Sequence, residues 1–202
     1  MAKRFAGPVL SEPTIASDNV VRVVTGERGT GKSTLCRRVA AKARDAGLIV
    51  TGVVTHDNSD NGTRHVTDLR TGENRLFGTQ TRPRAAFEPN GSQRVDPLTP
   101  SWMYDEGVFA WGNNALARST PCDLLVIDEL GPLEILGDRG WFTAFEVLSR
   151  RQFGAALVVC RPALVFELAA RIEATQPTVY EVSVGERDAL FGTVLGDLLG
   201  EG

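Results

Sequence analysis

Eight consecutive residues of this 202-residue chain, Gly26-Glu27-Arg28-Gly29-Thr30-Gly31-Lys32-Ser33, have the types and spacing of a phosphate-gripping loop. Glycines at 26, 29 and 31 let the backbone adopt conformations that a side chain would block. Successive N–H groups can then turn inward and hold anionic oxygens. Lys32 adds a cation able to reach β- and γ-phosphates, and the Ser33 hydroxyl suits magnesium. Thr30 and Thr34 belong to the same expected nucleotide contacts. Glu27 and Arg28 either shield the nucleotide or face solvent.

A second pair of candidates closes the run Asp123-Leu124-Leu125-Val126-Ile127-Asp128-Glu129. Four apolar residues leading into two carboxylates suit a buried parallel strand emerging at its carboxyl end. After a phosphate loop, Asp128 has the place of the carboxylate that holds the magnesium shell. Glu129, one residue on, is placed to polarise an attacking water.

These groups need elements to hold them. Val20–Thr25 is a β-branched run that reads as a strand entering the loop, and Leu35, Val39 and Ala43 recur at helical spacing until Gly47. Residues 48–55 read as a second strand. Asp57–Gly62 is rich in turn formers, and residues 64–69 and 74–77 around Thr71-Gly72 suggest an antiparallel hairpin on the sheet edge. Residues 78–100, with four prolines, show no period and read as a loop. Trp102 to Arg118 has a weak helical pattern. Beyond the acidic strand, Trp141, Phe145 and Leu148 mark a helix and residues 155–160 a buried strand. Val165, Leu168 and Ile172 mark a helix, residues 178–182 a strand, and Leu190, Val194 and Leu198 a last helix. Alternating strands and helices mean an α/β fold with a mostly parallel sheet between helical layers. Residues 1–19 read as an arm and residues 20–202 as one domain.

Composition narrows the function classes. The formal net charge is −3, which gives no electrostatic reason to expect a nucleic-acid partner. Three cysteines, Cys36, Cys122 and Cys160, form neither a disulfide framework nor a zinc spacing, and a reducing cytoplasm is the natural compartment. No apolar run approaches a membrane span. Trp102, Trp111 and Trp141 read as packing residues, and His56 and His65 as solvated or locally hydrogen-bonded.

Two stretches carry a family resemblance. Residues Val24–Leu35 match a Thr-Gly-Glu-x-Gly-x-Gly-Lys loop, and Val126–Glu134 match Ile-Asp-Glu-(Ile/Leu)-Gly-x-(Met/Leu)-Glu. Together they resemble the small P-loop nucleoside-triphosphatase family, whose members include thermophile enzymes and an animal cancer-related nucleoside-triphosphatase. Gly52-Val53-Val54-Thr55 is similar to the family's Gly-Phe-x-Thr. Glu186-Arg187-Asp188 is similar to its Asn-Arg-Asp, which implies a nucleotide contact for Arg187. The resemblance spans about residues 20–199.

The resemblance implies a three-layer fold with core strand order 5-1-4-3-2, the strand ending at Cys160 inserted between the loop strand and the Asp128 strand. It implies magnesium-dependent hydrolysis of ATP or other nucleoside triphosphates with loose base selectivity, with Lys32 and Glu129 catalytic and Ser33 and Asp128 at the metal. Where the family often has Thr-x-Pro, this chain has Cys160-Arg161-Pro162, so phosphate sensing by the strand end stays open between Cys160, Arg161 and neither. Two rivals remain: a kinase with an arginine-bearing lid (Arg82, Arg84, Arg94) and a nucleotide-binding regulatory module with negligible turnover.

Overall fold

The computed structural model describes residues 19–81, 93–95, 101–173 and 177–199. Residues 1–18 of the arm, Arg82 and Arg84 lie outside them, and Arg94 is described by its backbone alone. The strands are β1 Val20–Thr25, β2 Val50–Asn58, β3 Thr63–Asp68, β4 Asn74–Gln80, β5 Gln93–Val95, β6 Trp102–Asp105, β7 Cys122–Leu130, β8 Phe153–Cys160 and β9 Thr178–Glu181. The helices are α1 Lys32–Asp45, α2 Glu106–Ala117, α3 Pro132–Ile135, α4 Thr143–Arg150, α5 Val165–Arg171 and α6 Arg187–Leu199.

All nine strands form one sheet in the order β5-β6-β4-β3-β2-β7-β8-β1-β9. From β2 to β9 every pair is parallel. This half has the expected order, with β8 inserted between β1 and β7. Its inner strands β7 and β8 have two apolar faces. Leu124, Val126, Leu157 and Val159 pack under α1 and α6 against Leu35, Cys36, Val39, Val194 and Leu198. Leu125, Ile127, Ala156 and Val158 pack on the other side against Leu116, Val147, Leu148 and Leu168 of α2, α4 and α5. Burial of both faces in a continuous apolar run is what fixes a parallel sheet between helices.

The hairpin is present and is part of a larger extension. β3 pairs antiparallel with β2 and β4, and β6 pairs with β4 and β5. The weak helical pattern over residues 102–118 covers two elements, because Trp102–Asp105 is a strand and the helix begins at Glu106. The boundary is chemical: Asp105 Oδ1 accepts from the N–H groups of Gly107 and Val108 at 2.8 and 3.3 Å, an N-cap that starts α2. The extension is floored by aromatic rings. Phe77 stacks on Trp141 with centroids 4.8 Å apart, and Phe109 meets both edge-on at 5.0 and 5.3 Å. Trp141 is therefore core, as its type suggested, although it precedes α4 rather than lying in it.

Candidate active site

The loop strand β1 stops at Thr25 and the chain turns through Gly26. There φ is +139°, and a Cβ would lie 2.4 Å from the Val182 carbonyl oxygen, so only glycine passes. The turn ends on Gly31, the N-cap of α1, and no acidic side chain occupies the first turn of that helix. The positive helix end is left open to an anion. Lys32 Nζ donates to the Gly26 and Glu27 carbonyls at 2.7 Å each, folded across the cradle it would share with phosphates. Burial lowers its pKa below the ordinary lysine value, while Glu129 and Asp128 oppose that shift and Arg161 adds to it.

Glu27 and Arg28 are exposed, and both line the cavity above the loop with Gly26, Gly29, Gly31, Ser33 and Thr34. Thr30 differs. Its hydroxyl turns back to donate to the Glu27 carbonyl at 2.9 Å, and it does not line the cavity. Arg187 opens α6 behind the loop, where a Cβ on Gly31 would come within 2.9 Å of its Cδ. Its buried Nε has no hydrogen-bond partner, and it too stays outside the cavity lining.

Asp128 and Glu129 sit on a bulge. Ile127 is level with Val158 and Leu130 with Cys160, so β7 carries one residue more than β8 across this step. Glu129 takes the extra turn with φ +66°, in the left-handed region. The bulge sends the two carboxylates apart. Asp128, fully buried, accepts from Ser33 Oγ at 3.1 Å on Oδ1. Its Oδ2 accepts from both the N–H and the hydroxyl of Thr55 at 2.9 Å. Burial, with the Glu129 charge next, pushes its pKa up to about 6, against the bonds from Thr55 and Ser33. Thr55 reaches this position through Gly52, whose φ is +107° and where a Cβ would lie 1.9 Å from the Val126 carbonyl oxygen.

Glu129 turns toward the antiparallel extension and meets Arg64, a residue sequence reasoning missed. Arg64 Nη1 donates to Glu129 Oε2 at 2.6 Å and to the Tyr104 hydroxyl at 3.3 Å. Nε and Nη2 form a fork on Asp57 at 2.6 and 2.8 Å, and the guanidinium lies 4.3 Å over the Trp102 ring. Burial opposes its charge, but the Asp57 bond and the nearby Glu129 win, and its pKa is raised. Glu134 on α3, the last residue of the matched acidic motif, had no role assigned from sequence and is only 3% exposed. It accepts from the Gly131 N–H at 2.8 Å and the Trp141 N–H at 3.0 Å, tying the chain after Glu129 to the aromatic floor. Burial pushes its carboxyl up to about 7.

At the end of β8, Cys160 is buried and its thiol donates to the Arg161 carbonyl at 3.4 Å, with burial pushing its pKa up to about 12. Cys160 nonetheless lines the cavity, next to Val159 and Arg161. Arg161 is exposed at the cavity rim. His56 and His65 are level with each other on β2 and β3, His56 Nδ1 bonded to Arg37 and His65 Nδ1 to Asn74. The cavity, about 530 Å³, runs from the glycine loop past Glu129 and Arg64 to Trp102, Tyr104 and Trp141.

Ser33 and Asp128 supply one hydroxyl and one carboxylate, the hard oxygens magnesium favours. Among the described residues no group of three or more His, Cys, Asp or Glu could hold a metal ion. The donor set fits an ion that completes its shell with water and phosphate oxygens.

The same arrangement of elements occurs in known proteins. THEP1 from the hyperthermophile Aquifex aeolicus superposes with a TM-score of 0.65 at 18% identity, covering 89% of this chain and 99% of that one. A human cancer-related nucleoside triphosphatase gives a TM-score of 0.62 at 20% identity, covering 87% and 95%. Both are similar in fold. In sequence, the nucleoside-triphosphatase THEP1 of Thermococcus kodakarensis is 31% identical over 184 residues, 88% of this chain and 93% of the relative. That of Thermofilum pendens is 27% identical over 172 residues, 83% and 89% respectively. The model of the family described as NTPase matches residues 22–195. With its glycine loop, its acidic strand end and its sheet order in place, the chain belongs to this NTPase family.

Proposed function

We propose that the chain is a magnesium-dependent nucleoside-triphosphatase that hydrolyses ATP, GTP and other nucleoside triphosphates to the nucleoside diphosphate and phosphate with loose base selectivity. The observation that carries this reading is the Ser33–Asp128–Thr55 bond set beside Glu129 in the cavity that Lys32 shares. The loop N–H groups and the N-terminus of α1 bind the phosphate chain, and Lys32 exchanges its two carbonyl partners for β- and γ-phosphate oxygens. Ser33 Oγ and Asp128 would hold magnesium, which would neutralise charge on the phosphates. Thr55 keeps Asp128 in its orientation. Glu129 accepts a hydrogen bond from a water and aims it at the γ-phosphorus, in line with the bond to the leaving diphosphate. Gly26, Glu27, Arg28, Gly29, Gly31 and Thr34 contact the nucleotide along the cavity. Thr30 braces the loop from behind, and Arg187 supports Gly31 on the side where a base is expected.

Phosphate release from each of the four ribonucleoside triphosphates, with magnesium and with excess chelator, tests this directly. Similar release from all four, lost with chelator and in Lys32→Ala, is the expected result. The second reading, phosphoryl transfer to an acceptor, is favoured by the extension of the cavity beneath Trp102 and Tyr104. ATP consumption that requires an added acceptor would select it.

Among the described residues no helix is long and apolar enough to cross a membrane. Cys36, Cys122 and Cys160 are buried free thiols, which supports a reducing, cytoplasmic setting. Residues 20–202 act as one unit in this reading, with 1–19 as an arm.

A further inference from the structure

Arg64 is built to stay still, whereas Glu129 is placed to move. The Arg64 side chain is 7% exposed, forked onto Asp57 and stacked on Trp102. Those contacts use Nε and Nη2, while Nη1 bonds the Tyr104 hydroxyl and Glu129, both of which line the cavity. The Glu129 side chain is 34% exposed and hangs from a left-handed residue on a bulge, with Arg64 Nη1 its partner. In this arrangement the carboxylate that should activate water is bonded to a cation, which makes it a poor acceptor for a water proton. A bound triphosphate brings negative charge to the same place. Like charge then pushes the mobile carboxylate, not the anchored guanidinium, away from Nη1.

We propose that Arg64 is a catalytic arginine supplied by the chain itself: its Nη1 exchanges the Glu129 carboxylate for a γ-phosphate oxygen when the triphosphate binds. One exchange does two things. It releases Glu129 to orient water only when a substrate is present. It also puts a preorganised, water-shielded cation where charge develops on the transferring group, a contribution that can reach three or more orders of magnitude in rate. No covalent bond to Arg64 forms or breaks; the γ-phosphoryl group passes from the leaving nucleoside diphosphate to water, and the Glu129 carboxylate is freed to take the proton of that water. The inference rests on the hydrolysis reading above.

The test compares wild type, Arg64→Lys and Arg64→Gln for turnover, for binding of magnesium ADP, and for binding of magnesium ADP with aluminium fluoride, a mimic of the transferring phosphoryl group. Arg64→Gln should lower kcat about a thousandfold and Arg64→Lys about a hundredfold. KM and ADP affinity should stay within about threefold. Affinity for the fluoride complex should fall in step with kcat. A purely structural arginine would lower the melting temperature and leave the ratio of the two affinities unmoved, and that result overturns the proposal. Because Arg64→Gln breaks the fork to Asp57 and the stacking on Trp102 of a buried side chain and can fail to fold, a crystal structure of wild type with ADP and aluminium fluoride is decisive by itself. Nη1 on a fluoride with Glu129 released supports the exchange. Nη1 still on Glu129, in a wild type that releases phosphate, overturns the exchange alone. A wild type that releases no phosphate overturns the hydrolysis reading and the exchange with it.

Discussion

Thr55 holds Asp128 with two donors on one oxygen, its N–H and its hydroxyl each 2.9 Å from Oδ2, which leaves Oδ1 to Ser33. A fully buried carboxylate depends on such bonds, because each lost donor leaves an anion less compensated away from water. Thr55→Val keeps the shape and removes one donor. It should cost about 1–3 kcal/mol in urea denaturation and raise the magnesium concentration needed for half-maximal turnover. Unchanged values in both measurements would show that the Thr55 hydroxyl does not hold Asp128.

Gly52 brings Thr55 to this place, and it has no room for a side chain. Gly52→Ala puts a methyl against the Val126 carbonyl at a backbone angle alanine resists. A loss of more than about 3 kcal/mol, or insoluble protein, is expected. Gly72→Ala is the control. Its φ is also positive, but a Cβ there meets nothing within 4 Å, so it should cost only about 1 kcal/mol.

Glu134 makes stability depend on pH. Its folded pKa of about 7 stands above its ordinary 4.5, so between these values the folded state binds the proton more tightly than the unfolded one. Stability from this group is therefore greatest near pH 4.5, falls as the pH rises toward 7, and levels off above it. Glu134→Gln has no proton to lose, and its amide can accept from only one of the Gly131 and Trp141 N–H groups at full strength. Denaturation midpoints between pH 5 and 8 should fall more steeply for wild type than for the variant. Parallel curves would contradict the assignment.

The parts of the site written contiguously were legible in the sequence. The glycine loop, Lys32 and Ser33 lie in one turn, and Asp128 and Glu129 end one apolar strand, so local pattern carries them. The parallel order followed from family resemblance rather than from periodicity. Arg64 was not legible, because it stands 65 residues from Glu129 and meets it only through the antiparallel extension. One signal was present: Arg64, Val66 and Asp68 occupy the inward phase of an alternating strand, where a charge must have a buried partner. The β6 strand escaped because it has four residues and adjoins α2 directly, Asp105 being both its last residue and the cap of the helix. The roles of Thr55 and Glu134 depend on the bulge in β7 and on backbone N–H groups that no side-chain pattern encodes.

In the proposed hydrolysis Glu129 aims the attacking water while the loop and Asp128 bind the nucleotide. Glu129→Gln keeps the size of the side chain and removes its capacity to accept a proton. Turnover at saturating ATP and magnesium should fall by about two orders of magnitude or more, with nucleotide affinity within about threefold of wild type. Normal phosphate release by Glu129→Gln would contradict this account.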